Sequence, residues 1–576
     1  MIDETPRPVT ARRGFSVSYK GKTLLSTRDP AALAERTVEA LTKGPAPQGT
    51  LYFCPSPLYG YGLTLLLDRI RADSAVLCVE ADTQLMALSI QNIDESILSN
   101  PRFRLVGHSE SAYLCAFIRE TWGSRNFRRV EPVRLTGGWQ LNPELYDSLE
   151  DALRRDIALD WSNAMTLVKL GRRYARNALR NLALLSYSPG IGALHFGAAP
   201  VLVLGAGPSL DGVLEGLSAA FGDLADPAGR PFRILCVDTS LSPLYERRIK
   251  PDLVVALECQ HWNLRDFIGL GGWDVPVAMD LSALPATGEI LGAHPHLFFT
   301  PWTKLSLFDR LKTAGLLPEA LPPLGSVGLS AAAIACRLST GPIIVAGIDF
   351  SFTLDQSHAR SAPAHLEKLR RQTRFHRLID PVGAFRTGCF AVRSKTGERV
   401  RSNQAMKSYR DLFQREFADL GPAGNGRIRD IAGSGLPLGL KTLSPGAAIA
   451  VLAAGAVDGE GNHAPPGTES RATPEEVSDY IREELASLVR LRSILTGETT
   501  ASTEELETLL DLDDYLWAHF PDCAGAEGRR PGVNNVGFLK RVRAEIDPFM
   551  RLLQGVLEIT ARSARQRPPP QQWLSG

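Results

Sequence analysis

The stretch "VLVLGAGPSL" (residues 201–210) runs from apolar residues into a turn that holds two glycines, a proline and a serine. A short apolar run that ends in a glycine turn predicts a buried strand. Gly205 and Gly207 have no Cβ, so the backbone can turn tightly there and approach a ligand closely. Ser209 is expected to cap the helix that follows, and the free N–H groups at that helix start favour an anion. The stretch therefore predicts a turn that either contacts a phosphate or only redirects the chain.

The same turn departs from the fingerprint of dinucleotide-binding proteins. The third glycine of G-x-G-x-x-G is replaced by Leu210. Asp238 also comes later than the spacing of about 20 residues at which an acid binds the ribose. We therefore expect a phosphate-facing turn of another kind and not a dehydrogenase site.

Residues 195–445 repeat the pattern of a short apolar run followed by a helical or loop segment. Continuous apolar strands that alternate with helices predict a parallel sheet that is covered on both faces. The apolar runs are "PVLVLG", "ILCVD", "DLVVALE", "VPVAMD", "HLFFTP" and "PIIVAGID". Four of them end in or next to an acid, namely Asp238, Glu258, Asp280 and Asp349. Because open α/β sheets bind ligands at the carboxyl ends of their strands, these acids and the glycine turn predict one site.

A second candidate helix start lies in "LGSVGLSAAAIACRL" (residues 324–338). Gly325 and Ser326 precede an alanine-rich segment that is typical of a helix. Ser326 is therefore expected to cap that helix, and its first N–H groups offer another position for an anion.

The flanking regions predict two further domains. Residues 1–190 contain a strand, a glycine turn, a helix and a strand over "GTLYFCPSPLYGYGLTLLLDRI" and "SAVLCVEAD", and they end in a long connecting helix. Residues 451–576 predict a linker and a helical domain, in which Thr473 and Glu476 form a capping box. The expected division is an N-terminal α/β domain, a central Rossmann-like catalytic domain over residues 191–450, and the linker with the C-terminal helical domain.

The composition is that of an ordinary globular protein that is long enough for several domains. The 576 residues are 44% apolar and 22% charged with a formal net charge of +1, so the overall charge does not predict nucleic acid or an acidic membrane as partner. The eight cysteines are scattered and several lie in apolar runs, which favours free thiols in a reducing compartment. Neither a signal peptide nor an apolar run of about eighteen residues is recognisable, so we expect a cytoplasmic protein without a membrane span.

Four segments, in their order along the chain, resemble the Maf group, the motility-associated factor glycosyltransferases of flagellated bacteria. They are "NALRNLALL", "APVLVLGAGPSLDG", "TSLSPLYERRIKPDLVVALE" and "LGSVGLSAAAIACRLSTGPIIVAGIDFSFTLDQSHA". The resemblance covers residues 170–445 well and extends loosely over the N-terminal region. The central domain of the group is shared with archaeal 6-hydroxymethylpterin diphosphokinase-like proteins. The resemblance implies a variant Rossmann-like fold that is similar to that of sialyltransferases.

The resemblance also implies an activity and a donor. A nonulosonic acid of the pseudaminic or legionaminic type would be transferred from its CMP-activated form to Ser or Thr of flagellin, in support of flagellum assembly and motility. Gly205, Gly207, Pro208 and Ser209 would form the turn that binds the nucleotide phosphate. Asp238 is assigned to the same nucleotide-binding set.

The remaining residues of the implied site come from three other segments. Gly325 and Ser326 would line the same cleft, and Asp349 and His358 would complete it, with Asp349, His358 and Glu258 as the catalytic residues. The group usually has Asp where this chain has Glu258. The chemistry needs a base for the acceptor hydroxyl and donors for the departing phosphate. Since CMP leaves with a single phosphate, no metal or other cofactor is expected to be obligatory.

Two other functions stay open from the sequence. A diphosphokinase would transfer a diphosphate from ATP and would need Mg²⁺ held by carboxylates, which Asp238, Glu258 and Asp349 could supply. Metal dependence therefore separates the two enzymes. A non-catalytic factor that binds flagellin or assists its assembly would keep the fold without turnover. The sequence indicates no oligomeric state.

Overall fold

The computed structural model consists of two compact units, and the boundary between them falls inside one long helix. The first unit contains Met1–Gly171 and Trp517–Asn535, and the second contains Arg172–Leu516 and Val536–Gly576. The structure describes residues 5–123, 126–292, 295–353, 356–375, 388–421, 426–455, 472–524 and 530–566, with side chains of the last helix as far as residue 562. Residues 456–471, which contain nearly all of the predicted linker, and the C-terminal tail (567–576) lie outside these ranges. The three-part division at residues 190 and 450 stays a prediction.

The first unit is an α/β unit built from two small sheets and the helices that accompany them. Its elements before the long helix are β1 (Arg7–Thr10), β2 (Phe15–Tyr19), β3 (Lys22–Thr23), α1 (Pro30–Leu41), β4 (Thr50–Pro55), α2 (Leu63–Arg69), β5 (Ala75–Val79), α3 (Thr83–Asn92), α4 (Glu95–Leu98), β6 (Phe103–Val106), α5 (Ser111–Thr121) and β7 (Arg129–Pro132). The long helix is α6 (Pro143–Asn181). The main sheet has the order β6-β5-β4-β7 with every pair parallel, and β1–β3 form a separate antiparallel sheet.

The strand order of this main sheet reverses beside β4, where an open sheet normally leaves a crevice for a ligand. Next to this point, buried polar side chains join the ends of β4 and β5. Ser56 Oγ donates a hydrogen bond to Glu80 Oε2 at 2.5 Å, and Tyr146 donates its hydroxyl to Glu80 Oε1 at 3.1 Å. Ser56 and Glu80 are 0% and 1% exposed. The polar side chains at these two strand ends are therefore engaged by one another.

The second unit contains the large sheet that the sequence predicts. Its elements up to residue 453 are β8 (Val201–Leu204), α7 (Leu210–Phe221), β9 (Arg233–Val237), α8 (Leu241–Glu246), β10 (Leu253–Ala256), β11 (Val277–Asp280), β12 (Pro295–Phe298), α9 (Ser306–Thr313), α10 (Val327–Leu338), β13 (Ile343–Ala346), α11 (Pro363–Arg370), β14 (Cys389–Arg393), β15 (Arg399–Asn403), α12 (Gln404–Glu416), β16 (Ile428–Ile431), β17 (Lys441–Leu443) and α13 (Pro445–Ala453). The order is β12-β11-β10-β9-β8-β13-β16-β17, and every pair is parallel. The predicted α/β class with a central parallel sheet is confirmed.

Apolar side chains hold this sheet between its helices. The six predicted strand segments coincide with β8 to β13, and nearly all residues of these strands are buried. Helix α10 supplies a buried face of small residues, including Ala331, Ala332 and Ala335, which lets it pack closely against the sheet. Because the strand order reverses between β8 and β13, their carboxyl ends mark the usual ligand position of such a sheet.

The C-terminal region is helical, as predicted. Its helices are α14 (Pro474–Thr496), α15 (Thr503–Leu512), the short α16 (Pro521–Ala524), which belongs to the first unit, and α17 (Val536–Gln566). Thr473 and Glu476 form the expected capping box at the start of α14, with Pro474 in the first turn. Within the described ranges, every helix is too short or too polar to cross a lipid bilayer.

Candidate functional site

The glycine turn after β8 packs against the turn that follows β13. Gly207 donates its N–H to the Gly347 carbonyl at 2.8 Å, and Ser209 donates its N–H and its hydroxyl to Asp349 at 2.7 and 2.6 Å. A Cβ on Gly205 would lie 2.4 Å from the Gly347 oxygen, and a Cβ on Gly207 would lie 2.5 Å from Asp349 Oδ2. Both glycines are therefore needed because two segments of the chain approach each other closely.

Neither of the two predicted serine caps is formed. Ser209 precedes α7 in a helical conformation (φ −68°, ψ −15°) instead of the extended conformation of a capping residue, and its side chain is taken by Asp349. Ser326 occupies the cap position of α10 with extended backbone, but its hydroxyl makes no capping hydrogen bond. The two cap predictions were wrong, although both helices begin where the sequence placed them.

A cavity of about 430 Å³ lies at the carboxyl ends of β9, β10 and β11, beside the reversal point of the strand order and not on it. Its volume is in the range of small-molecule sites. Its described lining includes four acids (Asp238, Glu258, Asp266, Asp280), one cation (Arg265), three aromatic residues (Tyr174, Trp262, Trp302) and the amide of Asn263. The reversal point is filled by the turn after β8, so the cavity opens over the neighbouring strands.

The predicted site residues are divided between two places. Asp238, Glu258 and Gly325 line the cavity, and Ser326 lies between two lining residues. Gly205, Gly207, Pro208, Ser209, Asp349 and His358 are not among the described residues that line it. The expectation that the glycine turn and the start of α10 line one cleft is therefore not met.

Two of the cavity acids accept hydrogen bonds from neighbouring groups of the chain. Asp280 accepts hydrogen bonds from the backbone N–H groups of Ser282 and Thr300 at 2.7 and 2.8 Å, and from the hydroxyls of both. Burial nevertheless raises the pKa of Asp280. Glu258 accepts a hydrogen bond from the Gln260 N–H at 3.0 Å. Asp280 therefore ties the ends of β11 and β12 together.

The other two acids lie on either side of one hydroxyl. Thr239 Oγ1 is 3.2 Å from Asp238 Oδ1 and 3.4 Å from Asp266 Oδ2. The two carboxyls are 4% and 5% exposed. Burial raises the pKa of Asp238 to about 6, and burial together with the charge of Asp238 raises the pKa of Asp266 to about 7. Carboxyls with such values exchange protons near neutral pH.

Other groups of the lining are a helix start and aromatic rings. Gly325 and Val327 place the first turn of α10 at the lining, where backbone N–H groups have no partner within the helix. Tyr174 and Trp302 have ring centroids 5.4 Å apart, and Trp262 is 77% exposed at the cavity. These groups can take an anion at the helix start and a flat ring against the aromatics.

His358 lies apart from the described lining, in a half-buried position. Its Nδ1 is 3.1 Å from Ser357 Oγ. Burial, with the neighbouring charges of Lys368 and Arg265, lowers the pKa of His358 to about 4, so its ring is neutral at pH 7. Two residues of its loop, 354–355, lie outside the described part of the chain. The catalytic roles of Asp349, His358 and Glu258 stay predictions.

The sequence reasoning missed a buried ion pair behind the glycine turn. Lys395 Nζ donates to Asp430 Oδ1 at 2.7 Å, and the two side chains are 2% and 1% exposed. Burial raises the pKa of Asp430 to about 6, and the charge of Asp349 adds to the shift. Lys395 follows β14 and Asp430 lies in β16, and neither position carries a pattern that would predict the pair.

The sequence also missed Asp266 and Asn263, which lie in a 3₁₀ helix (His261–Phe267) after β10. The available signal was the polar segment "QHWNLRD" directly after a strand end, where binding residues are expected. In the part of the chain that the structure describes, no group of three or more His, Cys, Asp or Glu side chains is arranged to hold a metal ion.

An open parallel sheet with a polar cavity at the carboxyl ends of its strands defines a Rossmann-like ligand-binding domain. Residues 176–355 match the family model described as 6-hydroxymethylpterin diphosphokinase MptE-like. The chain is similar to the solved structure of MAf glycosyltransferase from Magnetospirillum magneticum AMB-1, with a TM-score of 0.53 and 15% identity over 98% of this chain and 93% of the other. At this identity the likeness establishes the shared fold. The predicted resemblance to the Maf group, with its MptE-like central domain, is confirmed.

A relative of similar length is known from sequence. It is a protein of Treponema pallidum (strain Nichols), described as uncharacterized, which is 29% identical over 574 residues. The match covers 96% of this chain and 95% of the relative. The whole arrangement of the chain, and not only its central segment, therefore has a counterpart in that protein.

Proposed function

We propose that this protein is a glycosyltransferase that moves a nonulosonic acid of the pseudaminic or legionaminic type from its CMP-activated form to Ser or Thr of flagellin. The observation that carries the proposal is the position of the cavity. All its described lining residues except Tyr174 lie in the segment that matches the MptE-like model, within a chain that has the fold of a Maf glycosyltransferase. We place the reaction in the cytoplasm, where unfolded flagellin and a nucleotide sugar are both accessible.

Two sets of lining groups suit the two parts of such a donor. The first turn of α10, at Gly325 and Val327, offers N–H groups and the positive end of the helix dipole to the phosphate. Trp262 offers an exposed ring on which a base or a sugar ring can stack. The acids of the lining would repel the phosphate and can accept hydrogen bonds from hydroxyl groups. These preferences favour a donor with its charged end at the helix.

The test is transfer by the purified full-length chain. Flagellin is incubated with the protein and a CMP-nonulosonic acid, and its intact mass is measured with and without the donor. We expect a mass increase by one or more nonulosonic acid residues. Glu258→Gln, in the cavity, is expected to lower the rate at least tenfold, whereas Glu215→Gln, on the exposed face of α7, leaves it unchanged. Flagellin that binds without any mass change would instead identify a binding factor.

The match to the MptE-like model favours a second candidate, a diphosphokinase that transfers a diphosphate from ATP to a hydroxymethyl group. Such transfer depends on a divalent cation that is held by carboxylates and by the substrate phosphates. Incubation with ATP, Mg²⁺ and 6-hydroxymethylpterin, followed by detection of AMP, tests it. Formation of AMP that stops with EDTA would replace the glycosyltransferase proposal.

A further inference from the structure

One hydroxyl serves two buried carboxyls at the wall of the cavity. Thr239 Oγ1 is within hydrogen-bond distance of Asp238 Oδ1 and Asp266 Oδ2. A hydroxyl has one proton, so it can donate to only one of the two carboxyls at a time. Asp238 also accepts a hydrogen bond from the Thr239 N–H at 2.8 Å, and its contact with the Thr239 hydroxyl is the shorter of the two. Asp266 is left with the weaker set of partners.

One buried oxygen of this pair of carboxyls is left without a hydrogen bond. Asp266 Oδ1 is buried and accepts no hydrogen bond from any described residue, and its cationic neighbour, Arg265 Nε, is 3.7 Å away. The Asn263 side chain is 5% exposed and lies beside Asp238, but its Nδ2 makes no hydrogen bond of ordinary geometry to a described residue. Both residues line the cavity. A buried acceptor and a buried donor that lack hydrogen-bond partners among the described residues indicate a ligand with a hydroxyl group.

We propose that Asp266, held beside Asp238 by the shared Thr239 hydroxyl, is the general base that removes the proton of the acceptor hydroxyl in this cavity. The inference rests on the proposed function and assigns the base that removes the acceptor proton to a residue that the sequence did not single out. In the step, the proton of the acceptor hydroxyl moves to Asp266 Oδ1. The acceptor oxygen forms a bond to the anomeric carbon, the bond from that carbon to the phosphate oxygen breaks, and its electron pair leaves with CMP.

The surroundings of Asp266 suit this role. The charged groups that act on it are Asp238 and Glu258, which raise its pKa, and Arg265, which lowers it. The resulting pKa, about 7, lies where a general base is most effective at neutral pH. Because burial is the largest cause of the shift, a bound acceptor that excludes water would keep the value high.

Two other candidates for the base are less suited to it. All oxygens of Asp280 are engaged by Ser282 and Thr300. His358 is not among the described lining residues, and its low pKa makes it a weak base. Asp266 combines an acceptor atom that no described residue engages by a hydrogen bond, a place in the cavity and a matched pKa.

The experiment compares Asp266→Asn with Asp274→Asn in flagellin transfer. Asp274 is an exposed acid of the same region, and Asn is compatible with its left-handed backbone (φ 56°). We expect Asp266→Asn to lower kcat at least 10²-fold, the usual effect of a lost general base, with CMP affinity within threefold of wild type. Asp274→Asn should match wild type. Asp266→Asn with kcat within threefold of wild type would overturn the assignment and leave the proposed function intact.

The pH profile separates a base from a merely structural residue. The wild-type kcat/KM should fall below about pH 7 as Asp266 takes up a proton. Asp238→Asn removes the neighbouring negative charge, so the acidic limb of its kcat/KM profile, normalised to its own maximum, should move to lower pH. If the acidic limb of Asp238→Asn lies at the same pH as that of the wild type, the proposed coupling between Asp238 and Asp266 is wrong.

A direct measurement separates this inference from the proposed function. Infrared difference spectra between pH 8 and pH 6 should show a protonated carboxyl in the wild type that is lost in Asp266→Asn. If the wild type transfers no sugar to flagellin, the proposed function and the base assignment fail together. The infrared band then shows only whether Asp266 takes up a proton in this pH range. If transfer occurs but the difference spectra of the wild type and Asp266→Asn are the same, the base assignment alone fails.

Discussion

Gly207→Ala distinguishes a structural turn from a phosphate-binding turn. The new Cβ would lie 2.5 Å from Asp349 Oδ2, 2.7 Å from its Cγ and 2.8 Å from the Gly347 oxygen. Gly207 does not have a positive φ, so the cost comes from these contacts and not from the backbone conformation. Overpacking of this kind costs about 1–3 kcal/mol, and a displaced Asp349 weakens its bonds from Ser209, which as bonds to a charged group contribute about 1.5–3 kcal/mol. We expect the free energy of unfolding to fall by about 3 kcal/mol or more.

The assay is urea unfolding followed by circular dichroism, together with calorimetric titration of CMP on the folded variant. The matched control is Gly212→Ala in α7, where a Cβ would meet no atom within 4 Å. There alanine should be neutral or stabilise by up to about 1 kcal/mol, because it favours the helix. The structural explanation requires that Gly207→Ala loses stability and keeps its CMP affinity. If Gly207→Ala is as stable as the control and its CMP affinity is reduced more than tenfold, the structural explanation is refuted and the turn is a phosphate-binding turn.

Three further outcomes are expected. Trp262→Ala should weaken CMP or donor binding by about 1–3 kcal/mol, the range of stacking on an aromatic ring, as measured by calorimetry. Because this ring is exposed, stability should not change in thermal unfolding. Transfer to flagellin should survive EDTA, as measured by intact mass. Burial raises the pKa of Asp513 to about 8. The folded state therefore binds this proton more tightly than the unfolded state, and the contribution of Asp513 to stability falls as pH rises from about 4 to 8. Asp513→Asn should raise Tm over wild type at pH 8 and change it little at pH 5, and an equal effect at both pH values would disprove the shift.

The fold was largely readable from the sequence because its strands are buried on both faces. Continuous apolar runs located β8 to β13, and the capping box located the start of α14. The sequence did not reveal β14 to β17. Most residues of the hairpin β14–β15 are half-buried or exposed, and β16 contains Arg429 and Asp430, so neither produces an apolar run. Their pairing depends on neighbours that are distant in sequence.

The sequence predicted only some of the residues that line the cavity. The rule that ligands bind at strand ends predicted Asp238 and Glu258 as site residues, and both line the cavity. The same rule assigned Asp349 to the site, but the hydroxyl and N–H of Ser209 engage both of its oxygens. Sequence spacing cannot show that contact, because 140 residues separate the two partners. Asp266 was missed because its importance depends on Thr239 and Asp238 in three dimensions.

The polar side chains at the strand ends differ in whether the chain itself satisfies them. In each parallel sheet a serine that follows a strand beside the reversal point bonds a buried acid, Ser56 with Glu80 and Ser209 with Asp349. Such pairs fix neighbouring turns, and a ligand could bind them only by breaking charge-assisted hydrogen bonds. Asp266 Oδ1 has no such partner among the described residues, and the cost of burying an unpaired acceptor is recovered when a ligand donates to it. The chemistry of this protein is therefore expected beside the reversal point of its large sheet, where burial leaves Asp266 Oδ1 without a hydrogen bond from any described residue, and not at the glycine turn.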